Sequence, residues 1–224
     1  MTPTPYQNFS VSIYATVYDV LKMKDLNWLS ETYDRISGQL KFDKIYLETH
    51  RDMIVADETV YRQAQDFFRA RGIRVAGGIT ITVNERNFFE TYCYTNPEHR
   101  RKLIEVVEFT ARHNDELILD DFFFTSCKCA SCIAAKGERS WTEFRLELMA
   151  QAARELVLEP ARRVNPAVQV VIKYPNWYEH FQGLGFNLEI QPQLFDGLYT
   201  GTETRDAVMS NQHLTPYHGY SVYR

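Results

Sequence analysis

Two hydrophobic periods alternate along this chain. Short apolar runs rich in β-branched and aromatic residues fall at residues 9–17, 44–49, 74–83, 116–124, 169–174 and 195–200, and each reads as a strand. Between them the apolar positions switch to helical spacing. Residues 25–37 carry Leu26, Leu29, Tyr33 and Ile36 on one stripe behind Asp25, a natural N-cap. Residues 57–71 predict a second helix, stopped by Gly72. A third opens on Pro97, a residue suited to the first helical turn, and runs to His113. The longest covers 140–163, with Trp141, Phe144, Leu148, Ala152 and Leu156 on one face.

Strand–helix alternation of this kind predicts a parallel sheet with helical crossovers, built either as an open doubly wound sheet or as a barrel. A doubly wound nucleotide-binding sheet would place a glycine-rich turn after its first strand. Here that turn reads ATVYDVLKMKD and holds no glycine. The expectation is therefore an α/β fold, a (β/α)8 TIM-type barrel that is incomplete. Six βα units can be found, whereas a closed barrel has eight and typically ~250 residues. Residues 1–224 are expected to form a single domain lacking its last βα units, or one whose open edge a second copy covers. The pair Gly77 and Gly78 inside the third strand predicts close approach of a helix or of substrate.

Composition narrows the function classes. Of 224 residues, 45% are apolar and 24% charged, enough for a well-buried core. The balance 25 − 29 = −4, without a basic stripe, argues against a nucleic-acid partner. No run approaches the ~20 apolar residues of a membrane span. The start MTPTPYQNF shows no leader, so the protein is expected in the cytoplasm or exported after leader removal. The 14 Phe, 14 Tyr and 3 Trp exceed what a core of this size needs, so some rings should line a surface or pocket.

Polar residues gather where strands end: Glu48, His50 and Arg51; Asp120 and Asp121; Lys173, Asn176 and Trp177; Thr202, Glu203, Arg205 and Asp206. Any one of them could be a helix cap or a solvated loop residue. In a barrel, however, the C-terminal strand ends share one mouth, which is where active sites lie.

All four cysteines lie within forty residues: Cys93 after the third strand, then Cys127, Cys129 and Cys132 as C-x-C-x2-C after the fourth. Those loops are neighbours in a barrel, and four thiolates make a common structural zinc site. Two disulfides, four free thiols or an iron–sulfur cluster are the alternatives. A bridge within C-x-C is strained, and free thiols need no clustering. The expected cofactor is zinc in a structural role, because four thiolates leave no position open for substrate.

The spacing resembles the zinc site of glycoside hydrolase family 42 β-galactosidases. The surrounding text is similar too: YCYTNPEHRRKL carries a Cys followed by Asn, Pro and a helix, and SWTEFR opens the helix after the cysteine triplet. The similarity spans about residues 74–150. It implies a carbohydrate-active barrel of a divergent type, because Asp120-Asp121 stands where that family has Asn-Glu, and no seventh strand is found to supply a nucleophile. An Asp after strand four with a carboxylate after strand six also looks like the α-galactosidase type of barrel.

Glycoside hydrolysis needs two carboxyl groups flanking the scissile bond. Position favours Asp121 as one, with Asp120 orienting a neighbour, and Glu203 as the other, with Asp206 in reserve. Lys173 is placed to stabilise an Asp across one strand, and Arg205 to do so for Glu203 or Asp206. Glu48 and His50 are candidates to hydrogen-bond substrate hydroxyls, or else to pair with Arg51. Asn176, Trp177, Tyr174, Tyr178 and Tyr199 are candidate contacts to sugar rings, with core packing as the alternative, above all for Tyr199. The expected function is a glycoside hydrolase on a carbohydrate substrate. The alternatives are a non-catalytic carbohydrate-binding or scaffold protein, and an enzyme with catalytic zinc at the mouth.

Overall fold

The computed structural model describes residues 6–175 and 182–201. In chain order the elements are β1 (Ser12–Ala15), α1 (Val17–Lys22), α2 (Leu26–Gln39), β2 (Lys44–Arg51), β3 (Ile54–Val55) and α3 (Glu58–Arg69). Then come β4 (Arg74–Ile79), the hairpin β5 (Thr82–Asn84) and β6 (Glu90–Thr91), α4 (Pro97–His113) and β7 (Glu116–Leu119). They are followed by α5 (Ala130–Lys136), α6 (Trp141–Ala152), α7 (Glu159–Val164), β8 (Gln169–Tyr174) and β9 (Gly197–Thr200).

Local chemistry starts and stops the helices. Asp25 caps α2 by accepting from the N–H groups of Asn27 and Trp28. Asp57 does the same for α3, and Gly72 lies three residues beyond its end at φ +75°. Asn96 caps α4 with Pro97 behind it, and Ser140 and Glu143 close a capping box on α6. The long helix expected over 140–163 is continuous but not uniform. Six π-helical residues, Ala153–Leu158, join α6 to α7 just ahead of Pro160, which has no N–H to donate.

Six strands pair in parallel in the order β1-β2-β4-β7-β8-β9, with β3 folded back antiparallel on β2. This order never reverses. Crossovers between parallel strands are right-handed, so steps that always go the same way place every helix on one face. The packing agrees. Outward strand residues such as Ile45, Leu47, Ile79, Leu117, Val170 and Ile172 are buried against the helices. The opposite face holds a small cluster made of strand residues alone: Tyr46, Ala76 and Ile118, with Tyr14 and Val171 against them. A doubly wound sheet would bury both faces under helices. The fold is a parallel α/β half-barrel of the TIM type, six strands wide among the described residues.

The inner face is polar at both ends. At the N-terminal end Lys44 meets Glu116 at 2.6 Å, and the Tyr46 hydroxyl also donates to Glu116. At the C-terminal end lie Glu48, Thr80, Asp120 and Lys173, treated below. The glycine pair serves both faces. A Cβ on Gly77 would come within 2.4 Å of the Thr110 methyl on α4, and one on Gly78 within 2.6–2.8 Å of the Tyr14 ring. Gly77 thus sets how closely α4 sits on the sheet, and Gly78 leaves room for Tyr14.

Gly77→Ala is expected to destabilise the protein by about 1–3 kcal/mol, because the buried Thr110 and Asn114 must shift to make room. Urea denaturation monitored by circular dichroism measures this, and a midpoint matching wild type would show that α4 yields without cost.

Candidate active site

At the mouth, β2 carries a bulge. Glu48 pairs with Gly78 and His50 with Ile79, so Thr49 is an extra residue against β4. The bulge breaks strict alternation and brings Arg51 back to the side of Glu48. There the two form a forked ion pair: Arg51 Nε donates to Glu48 Oε2 and Nη2 to Oε1, both at 3.0 Å. Glu48 has no exposed surface. Its remaining acceptor capacity is filled by the Val17 N–H at 2.6 Å, the Tyr14 hydroxyl at 2.8 Å and the Thr80 hydroxyl. Burial pushes the Glu48 carboxyl upward against the pull of Arg51. Burial, with the negative charges of Glu48 and Asp120, also lifts the Tyr14 hydroxyl well above its usual range, so Tyr14 remains a donor.

Arg51 extends the network to two more loops. Its Nη1 donates to Glu85 at 2.7 Å, and Nη2 reaches Thr80 at 3.1 Å and Asp120 at 3.4 Å. Asp120 follows Glu116 and Ile118 on the inner-face period of β7. Lys173 on β8 binds Asp120 at 3.0 Å and Asp121 at 3.2 Å. Burial alone would lower the Lys173 pKa, but attraction to Asp120 and Asp121 outweighs it and holds the ammonium charged. Carboxylates and cations from β2, the β5–β6 hairpin, the loop after β7 and β8 therefore meet at one mouth, with the Thr80 hydroxyl after β4 among them.

His50 has a different place. Only 1% of it is exposed, and both ring nitrogens are used: Nδ1 lies 2.7 Å from the Thr80 carbonyl oxygen, and Nε2 lies 2.8 Å from the Tyr92 hydroxyl. A carbonyl can only accept, so Nδ1 carries the proton and the Tyr92 hydroxyl donates to Nε2. His50 ties the end of β4 to the base of the β5–β6 hairpin. It makes no ion pair with Arg51, whose partners are Glu48, Glu85 and Asp120. Glu203, Arg205, Asp206, Asn176, Trp177 and Tyr178 lie outside the described residues. Tyr174 is buried against Phe186, and Tyr199 is 54% exposed on β9. Thr80, Tyr14 and Glu85 belong to the site, although the pattern of polar residues at strand ends did not single them out.

The four cysteines gather beside this mouth, with their sulfurs all within 4.8 Å of one another. Cys93 Sγ is 3.7 Å from Cys129 Sγ and 3.6 Å from Cys132 Sγ, and none of the four is in a disulfide. A tetrahedral centre with ~2.3 Å metal–sulfur bonds separates its sulfurs by ~3.8 Å, so the set fits a metal ion. The Thr95 hydroxyl lies 3.2 Å from the sulfurs of Cys93 and Cys132. Lys128, Lys136 and Arg145 surround the Trp141 ring nearby and can offset the thiolate charge. Cys93 continues directly from the hairpin, and Cys127 follows the loop that holds Asp120 and Asp121, so an ion here would join the two loops.

The whole chain, residues 1–224, matches the family described as probable glycosyl hydrolase, catalytic domain. The chain belongs to that family. A curated relative, the uncharacterized protein SSO3021 of Saccharolobus solfataricus, is 28% identical over 230 residues. That match takes in 89% of this chain, and the chain spans 38% of the relative's length. Among solved structures, the virulence factor SghA from Agrobacterium tumefaciens aligns with a TM-score of 0.41 at 13% identity, over 68% of this chain and 37% of that one. The native debranching enzyme of Nostoc punctiforme aligns with a TM-score of 0.34 at 14% identity, over 77% and 42%. No helix among the described residues is long and apolar enough to cross a membrane.

Burial lowers the His50 pKa from 6.5 to about 4. Between those values the unfolded chain binds a proton that the folded one refuses, so stability is full above about pH 6.5 and falls as the pH drops toward 4, by up to about 3 kcal/mol. Urea melts across this range check it: His50→Gln should flatten the slope, and an unchanged slope would place the titration elsewhere.

Proposed function

We propose that this domain is a glycoside hydrolase working through two carboxyl groups at the mouth of the half-barrel. The observation that carries the reading is the convergence of Asp120, Asp121 and Lys173 with the Glu48–Arg51 pair at the C-terminal strand ends, in a chain of the glycosyl hydrolase catalytic-domain family. Asp120 rather than Asp121 is the preferred reacting carboxylate, because it continues the inner face of β7 and touches Arg51 of β2, Thr80 after β4 and Lys173 of β8. Lys173 and Arg51 stabilise its negative charge and hold its orientation. Asp121 shares Lys173 and is the alternative. The second carboxyl group falls to Glu203 or Asp206, which follow β9 in the sequence. One of the pair protonates the leaving oxygen while the other attacks the sugar or activates water, and their separation decides which.

A second reading is a carbohydrate-binding domain without turnover. It is favoured by the ion pairing of the described mouth, where Glu48, Asp120 and Asp121 each lie against a cation. The metal at the cysteines is proposed to be zinc in a structural role. It contributes to folding and holds the two loops beside the mouth.

Asp120→Asn and Asp121→Asn, assayed separately on a panel of nitrophenyl glycosides, should divide the roles. The first is expected to cost at least about a hundredfold in kcat with the fold retained. Activity at the wild-type level in both variants sinks the two-carboxylate assignment, and turnover by neither variant nor wild type on any sugar favours the binding reading.

Metal analysis of the purified protein should give one zinc per chain, and Cys132→Ser should lose it along with several degrees of melting temperature. Iron, or no metal at all, would refute the assignment. Activity lost to a chelator while the melting curve is unchanged would make the ion catalytic instead.

A further inference from the structure

We propose that the β5–β6 hairpin is a sugar-stacking platform beside the mouth, and that the substrate is consequently an oligosaccharide chain rather than a single small glycoside. The inference rests on the carbohydrate reading of the mouth given above. Phe88 and Phe89 sit at the hairpin tip, both with positive φ, +50° and +55°, a conformation that disfavours bulky side chains. The tip nevertheless carries two phenylalanines, and Phe88 is 97% exposed.

The rings are joined to the mouth. Phe89 stacks on Phe122 at 5.5 Å with 28° between planes, and Phe122 follows Asp120 and Asp121 directly. The Arg51 guanidinium lies 5.9 Å over the other ring of that stack. The hairpin is also held from below. Glu85 accepts from Arg51, and its N–H donates to Asp52 at 2.8 Å. The Tyr18 hydroxyl donates to the same Asp52, also at 2.8 Å, and Tyr92 at the hairpin's base is tied to His50. These contacts hold the two legs of the hairpin and the Phe122 stack holds the Phe89 ring, which lowers the ordering cost of binding there.

The chemistry around the rings selects the ligand. Asn84, Arg86, Asn87 and Glu90 flank the two phenylalanines and are exposed. A pyranose needs this mixture: an apolar face for its C–H groups and hydrogen-bonding groups at its hydroxyl edge. Because the platform lies outside the carboxylate cluster, it receives a sugar unit beyond the one whose bond is cut.

Isothermal titration of cellotetraose, xylotetraose, galactotetraose and maltotetraose into wild type and into Phe88→Ala/Phe89→Ala tests this, alongside turnover of nitrophenyl monosaccharides. At least one tetrasaccharide is expected to bind wild type. The double variant should lose about tenfold in its affinity, a larger loss than in kcat/KM for the monosaccharide. Phe88→Tyr/Phe89→Tyr keeps the rings and should restore binding, which separates stacking from misfolding. Equal affinity in wild type and alanine variant, or no tetrasaccharide binding at all, overturns the proposal. So does a change in oligomeric state on gel filtration with tetrasaccharide binding intact, which would assign the rings to a second copy. Tetrasaccharide binding lost in the alanine variant while no glycoside is ever turned over leaves the platform standing and removes only the hydrolase.

Discussion

A carboxylate with no exposure to water, Glu48, faces a guanidinium at the end of β2, and much of the mouth is arranged to satisfy that pair. Burying two charges costs several kcal/mol each unless the geometry and the remaining hydrogen bonds compensate. Here the compensation comes from Tyr14 on β1, the Val17 N–H at the start of α1 and Thr80 after β4. Arg51 uses its other nitrogens on Glu85 and Asp120. The pair thus links β1, β2, the loop after β4, the hairpin and the loop after β7. A shift in any of these would leave a buried charge short of a partner.

That constraint works because no helix among the described residues packs on the inner face. Steps that always run in one direction across the sheet send all crossovers to the outside. The inner face is then free to hold tyrosines and paired charges in place of a continuous apolar layer. The cysteine cluster complements this from the outer rim. It gathers the two loops that emerge after β4 and β7, one carrying the aromatic hairpin and the other the aspartates. The paired carboxylates, the Phe89–Phe122 stack and the metal-sized thiolate cluster therefore sit on loops that are joined to one another at one end of the sheet.

Much of the scaffold was legible in the residues. Gln169–Tyr174 and Pro97–His113 form a strand and a helix over the expected spans, because β-branched runs and a capped, proline-started helix are local signals. The run 116–124 shortens to Glu116–Leu119, since Asp120 and Asp121 turn out to make loop contacts that end the pairing. Only Thr82 and Val83 of the β5–β6 hairpin fall in the strand expected at 74–83, and the rest lies in the loop expected after it: no Asn-Gly or similar turn marks the hairpin, and its tip places phenylalanines where turns ordinarily place glycine. The cysteine cluster was legible as a set from spacing alone. The use of both His50 nitrogens inside the protein was not, because Tyr92 and the Thr80 carbonyl approach from 42 and 30 residues away.

By itself, the order of strands and helices determined a parallel α/β scaffold, and the spacing of its cysteines and strand-end charges determined which residues could meet. Those signals lie within single elements, where period, capping and turn chemistry act over a few residues. Tertiary structure decided which of those residues do meet. The bulge on β2 breaks the two-residue period and returns Arg51 to the side of Glu48. Pairing of β7 with β8 brings Lys173 to both aspartates. A stack across two loops seats Phe89 on Phe122. Each is a contact between elements distant in the chain, and such contacts are set by packing and the pairing of buried charges, not by local propensity.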